Sequence, residues 1–270
     1  MPDWTKSMQR TYEYYLVDPL SWCDKSRITC VKSSTIERDS SEATNGHATL
    51  EVTESLNECY VRIYMVVIQK GVTEKFPLAT VLAQTPGNDF DGKIAIMSVD
   101  AYMPLVELKE TLPPYGFTVM KNANIMENAC KNIQEHMRAP LIITESKKTL
   151  VENFVSNTDD TWLSFNSDLI AKADFSFSTD EMGTVTFSPK RELEAMQPVV
   201  TFGDDEHSIL QPSISTEYDL YGVPNVVEVI YSGDNQFFKS RIENNDPTSI
   251  TSTVNRGREI LYRDTNPNIT

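Results

Sequence analysis

Histidine and cysteine, the residues that most often carry metals and nucleophilic chemistry, are scarce in this chain: three of the first and four of the second in 270 residues. Cys23, Cys30, Cys59 and Cys130 form no C-x-x-C pair and stand at no zinc-finger spacing from a histidine. They read as reduced, mostly buried thiols. His47, His136 and His207 are scattered, and their spacing favours surface polar residues over metal ligands. The sequence contains no G-x-G-x-x-G, P-loop, H-E-x-x-H or G-x-S-x-G motif, so the common nucleotide-binding, zincin and serine-hydrolase constellations have no starting point. Cationic side chains are outnumbered as well, 24 against 39 acidic ones, for a formal net charge of -15. Phosphates would be repelled by such a surface, which excludes sequence-independent DNA binding but lets DNA pass along an acidic wall without sticking. Long apolar runs are also missing. The longest, around Tyr64 to Ile68, is far too short to span a bilayer. The start, Met1-Pro2-Asp3-Trp4, has no basic region leading into an apolar stretch. The expectation is a chain made and kept in a cytosol, with no membrane insertion of its own.

The acidic candidates fare no better. Asp89-Phe90-Asp91-Gly92 has the opening of a calcium loop, but Ala95 and Met97 cannot coordinate by side chain and the closing bidentate Glu is absent, so a hairpin turn is the simpler reading. Asp204-Asp205-Glu206 with Asp219 could hold a cation and more often marks a solvated loop. Asn268-Ile269-Thr270 matches a glycosylation pattern that has no meaning in a cytosolic chain. Tyr12, Tyr14 and Tyr15 could make a partner-binding patch, with strand packing the plainer alternative. No catalytic, cofactor-binding or metal-binding residue is assigned, and no cofactor is expected.

What the sequence does hold is β texture and a sufficient core. Apolar residues make up 40% of the chain, enough to pack two domains or three small ones. From residue 12 to about 104, extended runs alternate with short polar connections: Tyr12 to Val17, Ser26 to Ser34, Ala48 to Val52 after an Asn45-Gly46 turn, Cys59 to Gln69, Phe76 to Gln84 and Lys93 to Tyr102. Such a meander argues for an antiparallel barrel or sandwich. The texture then changes. Leu105, Leu108 and Leu112 are helically spaced before Pro113-Pro114. Asn124 to Met137 predicts a helix with Ile125, Met126, Ala129, Ile133 and Met137 on one face. Thr149 to Val155 and Thr161 to Ala173 predict two more, and 174 to 189 a hairpin. After residue 195 the β texture returns, with Pro198 to Phe202, Ser208 to Tyr218, Val223 to Tyr231 and Gln236 to Glu243 extended and a last apolar stretch at Arg256 to Arg263.

The order of these segments carries a resemblance. The run Glu58-Cys59-Tyr60-Val61-Arg62-Ile63-Tyr64, then Phe76-Pro77-Leu78-Ala79-Thr80, then Gly92-Lys93-Ile94-Ala95-Ile96-Met97-Ser98-Val99-Asp100-Ala101-Tyr102, resembles the first tube-type barrel of bacteriophage tail-hub (baseplate-hub or tail-tip-hub) proteins. Thr161-Trp162-Leu163 through Thr186-Phe187-Ser188-Pro189 resembles their inserted domain. Tyr221-Gly222-Val223-Pro224-Asn225-Val226-Val227-Glu228-Val229, followed by Asn245-Asp246-Pro247 and Gly257-Arg258, resembles the start of a second barrel. The resemblance implies a mainly β fold with an α+β insert: a tube-type antiparallel β-barrel over 1–104, a small α+β domain over 105–194 and a second β-barrel over 195–270. That third part is shorter than the first barrel, which leaves it incomplete, completed by a partner, or part of a longer hub. The implied role is a structural hub of a virion tail tip, assembled in the host cytoplasm as a homotrimer. It would adapt a six-fold tail tube or distal-tail ring to a three-fold central spike or fibre, with genomic DNA or tape-measure protein passing through its lumen. The alternative is a tail-associated carbohydrate-acting enzyme or carbohydrate-binding protein, whose sign would be a groove lined by Trp4, Trp22 or Trp162 with two close carboxylates. A third class, a tail-tube or secretion-tube subunit proper, would lack the α+β insert.

Overall fold

The first unit is organised by one antiparallel sheet of seven strands. In this computed structural model, which describes residues 2–90, 95–191, 196–198, 219–233 and 236–265, the strands are β1 (Gln9–Val17), β2 (Asp24–Ile28), β3 (Val31–Glu37), β4 (His47–Val52), β5 (Cys59–Gln69), β6 (Val72–Phe90) and β7 (Ala95–Tyr102). Their spatial order is β2-β1-β5-β6-β7-β4-β3. The two outer strands of that order are sequence neighbours, joined through Thr29 and Cys30. In a flat sheet they would lie six strand spacings apart, roughly 29 Å. Three residue steps from Ile28 to Val31 cover at most about 10 Å. The sheet must therefore curl until its edges approach, and a side-chain bond shows that it does. The Tyr14 hydroxyl on β1 lies 3.0 Å from Ser34 Oγ on β3, although five spacings separate these strands along the ladder. Register shifts in the β1–β2, β3–β4, β5–β6 and β6–β7 pairings add the local coil that such curvature needs.

The barrel interior follows the period of two. Ala48, Leu50 and Val52 on β4, Val61 and Ile63 on β5, Ala79, Val81 and Ala83 on β6, and Val99 and Ala101 on β7 form one buried cluster with Tyr14, Ile28 and Met103. One expected strand, Ser26 to Ser34, is two: the chain leaves β2 at Thr29–Cys30 and crosses to the other edge as β3, which a local pattern of apolar residues does not distinguish from a single run. Residues 89 and 90, expected in a turn, extend β6 opposite Ala95 and Ile96, while 91 and 92 lie outside the described residues. Asn45 and Gly46 make the turn into β4, both at positive φ. A Cβ at Gly46 would stand 2.1 Å from the Glu37 carbonyl oxygen, so only glycine fits.

The insert has its own core. Helices α1 (Val106–Glu110), α2 (Ile125–His136) and α3 (Trp162–Ala171) pack Leu105, Leu108, Ile125, Met126, Ala129, Ile133, Trp162, Phe165, Leu169 and Ile170 together. Asn124 caps α2 by accepting from the Glu127 amide, and Thr161 with Ser164 forms a capping box on α3. The helix expected over Thr149 to Val155 does not form. Thr149 bridges to Asn124, and β9 (Phe154–Val155) pairs with β8 (Thr118–Val119), because the backbone groups there are used by neighbours distant in sequence. The expected hairpin is β10 (Phe175–Thr179) and β11 (Val185–Pro189).

By contacts the chain divides into two compact units, Met1–Lys190 and Arg191–Ile269. The described part of the second is a three-stranded sheet, β13-β12-β14, in which β12 (Val226–Gly233) pairs antiparallel with β13 (Gln236–Glu243) and parallel with β14 (Leu261–Asp264). A short helix, α4 (Thr253–Arg256), precedes β14, which takes up the end of the apolar stretch expected at Arg256 to Arg263. The expected extended runs at 198–202 and 208–218 lie almost wholly outside the described residues.

Two tests follow from this architecture. Ile63 is fully buried in the barrel, so Ile63→Ala should lower the unfolding free energy by about 2–5 kcal/mol, read as a shift of urea midpoint at unchanged slope. In the second unit the Lys239 ammonium and the Arg263 guanidinium hold the Glu228 carboxyl below its usual range. A depressed folded value stabilises the sheet above the unfolded carboxylate range, and the stabilisation is lost as pH falls through the folded value. Glu228→Gln should therefore flatten the acid limb of the second unit's unfolding, monitored by circular dichroism between neutral and acidic pH.

Candidate functional site

An arginine in the middle of the most apolar strand needs a partner, and that need locates the most connected polar site of the first unit. Arg62 lies on the outward face of β5, between Val61 and Ile63, and is 1% exposed. Its guanidinium donates four hydrogen bonds: Nε to Thr80 Oγ1 at 2.9 Å, Nη1 to Asp24 Oδ1 at 2.8 Å, and Nη2 to the carbonyls of Trp22 at 3.2 Å and Met182 at 3.1 Å. Asp24 belongs to β2, Thr80 to β6, Trp22 to the β1–β2 loop and Met182 to the β10–β11 turn. One side chain thus joins three parts of the barrel to the hairpin of the insert. The planar fork of arginine suits this set, which an ammonium could not satisfy.

The neighbours complete the joint. Tyr64 donates to Asp24 Oδ2 at 2.8 Å, and burial together with that carboxylate raises its pKa. Trp22 Nε1 donates to the Met182 carbonyl at 2.8 Å, Thr80 to the Glu181 carbonyl at 3.1 Å, and the Trp22 ring packs edge-on to Tyr60. Trp22 holds a positive φ of 56°, rare for a bulky residue and sustained here by contacts on its ring, its indole N–H and its carbonyl. Gly183 ends the hairpin turn at φ +77°. A Cβ there would meet Thr80 Cβ at 2.9 Å and Trp22 Cζ2 at 3.0 Å. On the β3–β4 side, Arg38 binds the Thr179 carbonyl and pairs with Glu181, while Asn45 Oδ1 accepts from the Thr179 amide at 3.2 Å.

A second joint lies at the start of the insert. Arg138, just past α2, pairs with Glu107 of α1 and, at 3.6 Å, with Glu58, which precedes β5, and its guanidinium lies over the Tyr60 ring. Burial first, then the Glu107 charge, raises the Tyr60 pKa far above its ordinary value. A cleft of about 640 Å³ opens here, lined by Glu58, Glu107, Glu110, His136 and Arg138 among others. Its carboxylates are engaged: Glu107 and Glu58 by Arg138, Glu110 by Gln84, and Glu135, at 4.0 Å, by Lys131.

The residues singled out in the sequence are spread through the structure rather than gathered. His47 sits between Glu37 and Glu42 at 3.7 and 3.8 Å. His136 stacks on Trp162, with Nδ1 2.8 Å from the Asn132 carbonyl. His207 and Asp204-Asp205-Glu206 lie outside the described residues; Asp219 accepts from the Tyr221 amide at 2.8 Å in a local turn. The tryptophans serve packing: Trp4 leans on Phe76, Trp22 fills the joint, and Trp162 is buried in the insert. Tyr14 is core and Tyr15 packs against Tyr64 and Lys75, so of the tyrosine trio only Tyr12 keeps a half-exposed ring. All four cysteines are free thiols. Only Cys130 is buried, and Cys23 is exposed beside the joint, which corrects the expectation of mostly buried thiols. Among the described residues no three His, Cys, Asp or Glu side chains cluster to hold a metal.

The fold, a curled seven-stranded sheet with an α+β insert and a further sheet, is shared by several solved tail proteins. The tail protein from Neisseria meningitidis MC58 shares it at TM-score 0.65 and 10% identity, over 95% of this chain and 71% of that one. The 43 kDa tail protein of prophage MuSo2 from Shewanella oneidensis matches at TM-score 0.59 and 11% identity, over 97% and 74%. Prophage tail protein gp18 from Listeria monocytogenes EGD-e matches at TM-score 0.52 and 10% identity, over 94% and 72%. In sequence, no family model and no curated protein matches the chain.

The joint predicts a particular failure. Arg62→Ala should cost about 3 kcal/mol, the lower end of the range for breaking a buried pair because Asp24 keeps partial contact with water. Arg62→Lys should restore little of it. Gly183→Ala, which leaves every charge in place, should cost more than about 1 kcal/mol and expose the same hairpin. Equilibrium unfolding with limited proteolysis at residues 180–183 checks both.

Proposed function

We propose that this chain is a structural hub of a phage or prophage tail tip, acting by assembly rather than by catalysis. The observation that carries the reading is the fixed relation between barrel and insert. The buried charge of Arg62 and the half-exposed ion pairs of Arg138 with Glu107 and Glu58 hold a barrel and an α+β body together, which suits a part that transmits geometry between neighbours. The fold shared with three tail proteins supports the same reading.

In this proposal the barrel over 1–104 faces a tail tube or distal-tail ring, the insert over 105–194 braces it, and the part over 195–270 supplies the second barrel-like element, alone or with a partner's strands. Three copies in a closed ring then present six similar units upward and three-fold symmetry downward, where a central spike or fibre attaches. The net charge of -15 suits a lumen through which DNA or a tape-measure protein slides without binding. The virion tail tip is the proposed location, with assembly in the host cytoplasm. The alternative, a carbohydrate-acting enzyme or carbohydrate-binding protein, finds Trp162 buried in the insert and Trp22 packed in the joint, which leaves Trp4 as the exposed tryptophan of the three.

The native mass of the purified chain tests the ring. A particle of three times the 30.6 kDa chain mass is expected, and cryo-electron microscopy of tail tips should place three copies beneath a six-fold tube. Six equivalent copies in a ring would make the chain a tube subunit, and a monomer at high concentration would remove the hub reading.

A further inference from the structure

The turn into β4 carries a chemical liability as well as a shape. An asparagine followed by glycine can cyclise, because glycine has no side chain to shield its own nitrogen. Asn45-Gly46 is the one Asn-Gly pair in the chain. Neither residue is dispensable to the turn: Asn45 tolerates a φ of 63°, and glycine alone fits at position 46.

The structure pins Asn45 at three points. Its N–H donates to the Glu42 carbonyl at 2.9 Å, and its own carbonyl accepts from the Asp39 amide at 3.3 Å. Its Oδ1 accepts from the Thr179 amide, at the end of β10 in the insert, at 3.2 Å. Cyclisation needs Asn45 Cγ to swing onto the Gly46 nitrogen, which takes rotation of the main chain and of χ1 together. The turn blocks the first rotation and the hairpin blocks the second. The hairpin's hold is the weaker of the two. Arg38 binds the Thr179 carbonyl and pairs with Glu181 at 3.4 Å, but these two side chains are 32% and 56% exposed, so the pair adds little. Thr179 is buried, yet among the described residues nothing bonds to its hydroxyl. This corner therefore opens at lower cost than the Arg62 joint or the barrel core.

We propose that Asn45-Gly46 is a deamidation site gated by the seated β10–β11 hairpin. When the hairpin lifts from the barrel, the Gly46 nitrogen attacks Asn45 Cγ. The Cγ–Nδ2 bond breaks, and ammonia leaves with the Gly46 amide proton. Water then opens the cyclic imide at either carbonyl. Breaking the bond from nitrogen to Cγ gives aspartate on an unchanged main chain, which keeps an acceptor for the Thr179 amide. Breaking the bond from nitrogen to the Asn45 main-chain carbonyl gives isoaspartate, whose main chain is one methylene longer. A Cβ at Gly46 would already stand 2.1 Å from the Glu37 carbonyl oxygen, so the longer turn has no room and the hairpin cannot reseat. Release of the insert is thereby recorded irreversibly in the barrel. The inference goes beyond the hub proposed above and does not require it.

The test incubates the full chain at mildly alkaline pH. Conversion at Asn45 is followed by peptide mapping in a mass spectrometer, and isoaspartate by methylation with an isoaspartyl methyltransferase. A synthetic peptide of residues 40–50 sets the unprotected rate. Asn45 in the folded chain should convert at least about tenfold more slowly than in the peptide, the protection given by an opening that costs about 1.4 kcal/mol. Arg38→Ala loosens the corner and leaves Arg62 in place; it should convert several-fold faster than the wild type with an unchanged circular dichroism spectrum. The purified isoaspartate form should be cut faster at residues 180–183 than the unconverted chain. Conversion of the folded wild type at the peptide's rate, or equal rates for wild type and Arg38→Ala, overturns the gating. An isoaspartate form whose hairpin resists protease as well as the unconverted chain overturns the irreversible record.

Discussion

A full positive charge sits on the outer face of β5, and the arrangement of the first unit depends on how it is neutralised. The Arg62 side chain is closed off from water, where an uncompensated charge is costly. Its position is tolerable only while Asp24, Thr80, Trp22 and Met182 all stay within hydrogen-bond reach. Those four partners come from β2, β6, a loop held at positive φ and a hairpin some 120 residues downstream of Arg62. Each must be in place before the others are satisfied, so the charge couples the curl of the sheet to the seating of the insert. Apolar burial supplies most of the stability of both bodies, but apolar burial is non-directional. The guanidinium fork supplies the direction.

The same constraint explains why barrel and insert make one compact unit although each has its own core. Arg62 and Arg38 fix the hairpin end of the insert, and Arg138 with Glu107, Glu58 and Tyr60 fixes the end near the chain's exit from β7. Two separated attachments remove rotation as well as translation. The second unit uses charge in another way: Glu228 with Lys239 and Arg263 seals one face of a small sheet, and among the described residues no strand pairs with the outer edge of β13.

The sequence by itself determined the β character of both ends, the helices built on Ile125 to Met137 and on Trp162 to Ala171, the β10–β11 hairpin and the alternation of Ala48, Leu50 and Val52 on β4. These are local facts. They rest on periods of 2 and 3.6 residues and on turn chemistry at Asn45-Gly46, all readable within a dozen positions. Arg62 was not singled out in the sequence: it is one charge inside a run of β-formers, and nothing nearby names its partners. Only the tertiary structure decided that the chain changes sheet edges at Thr29–Cys30, that 149–155 is bridge and strand rather than helix, and that Trp22, Met182 and Gly183 belong to one joint. Those outcomes depend on backbone groups and charges finding partners dozens of residues away, and the energy of such a contact is invisible until the chain has curled far enough to make it.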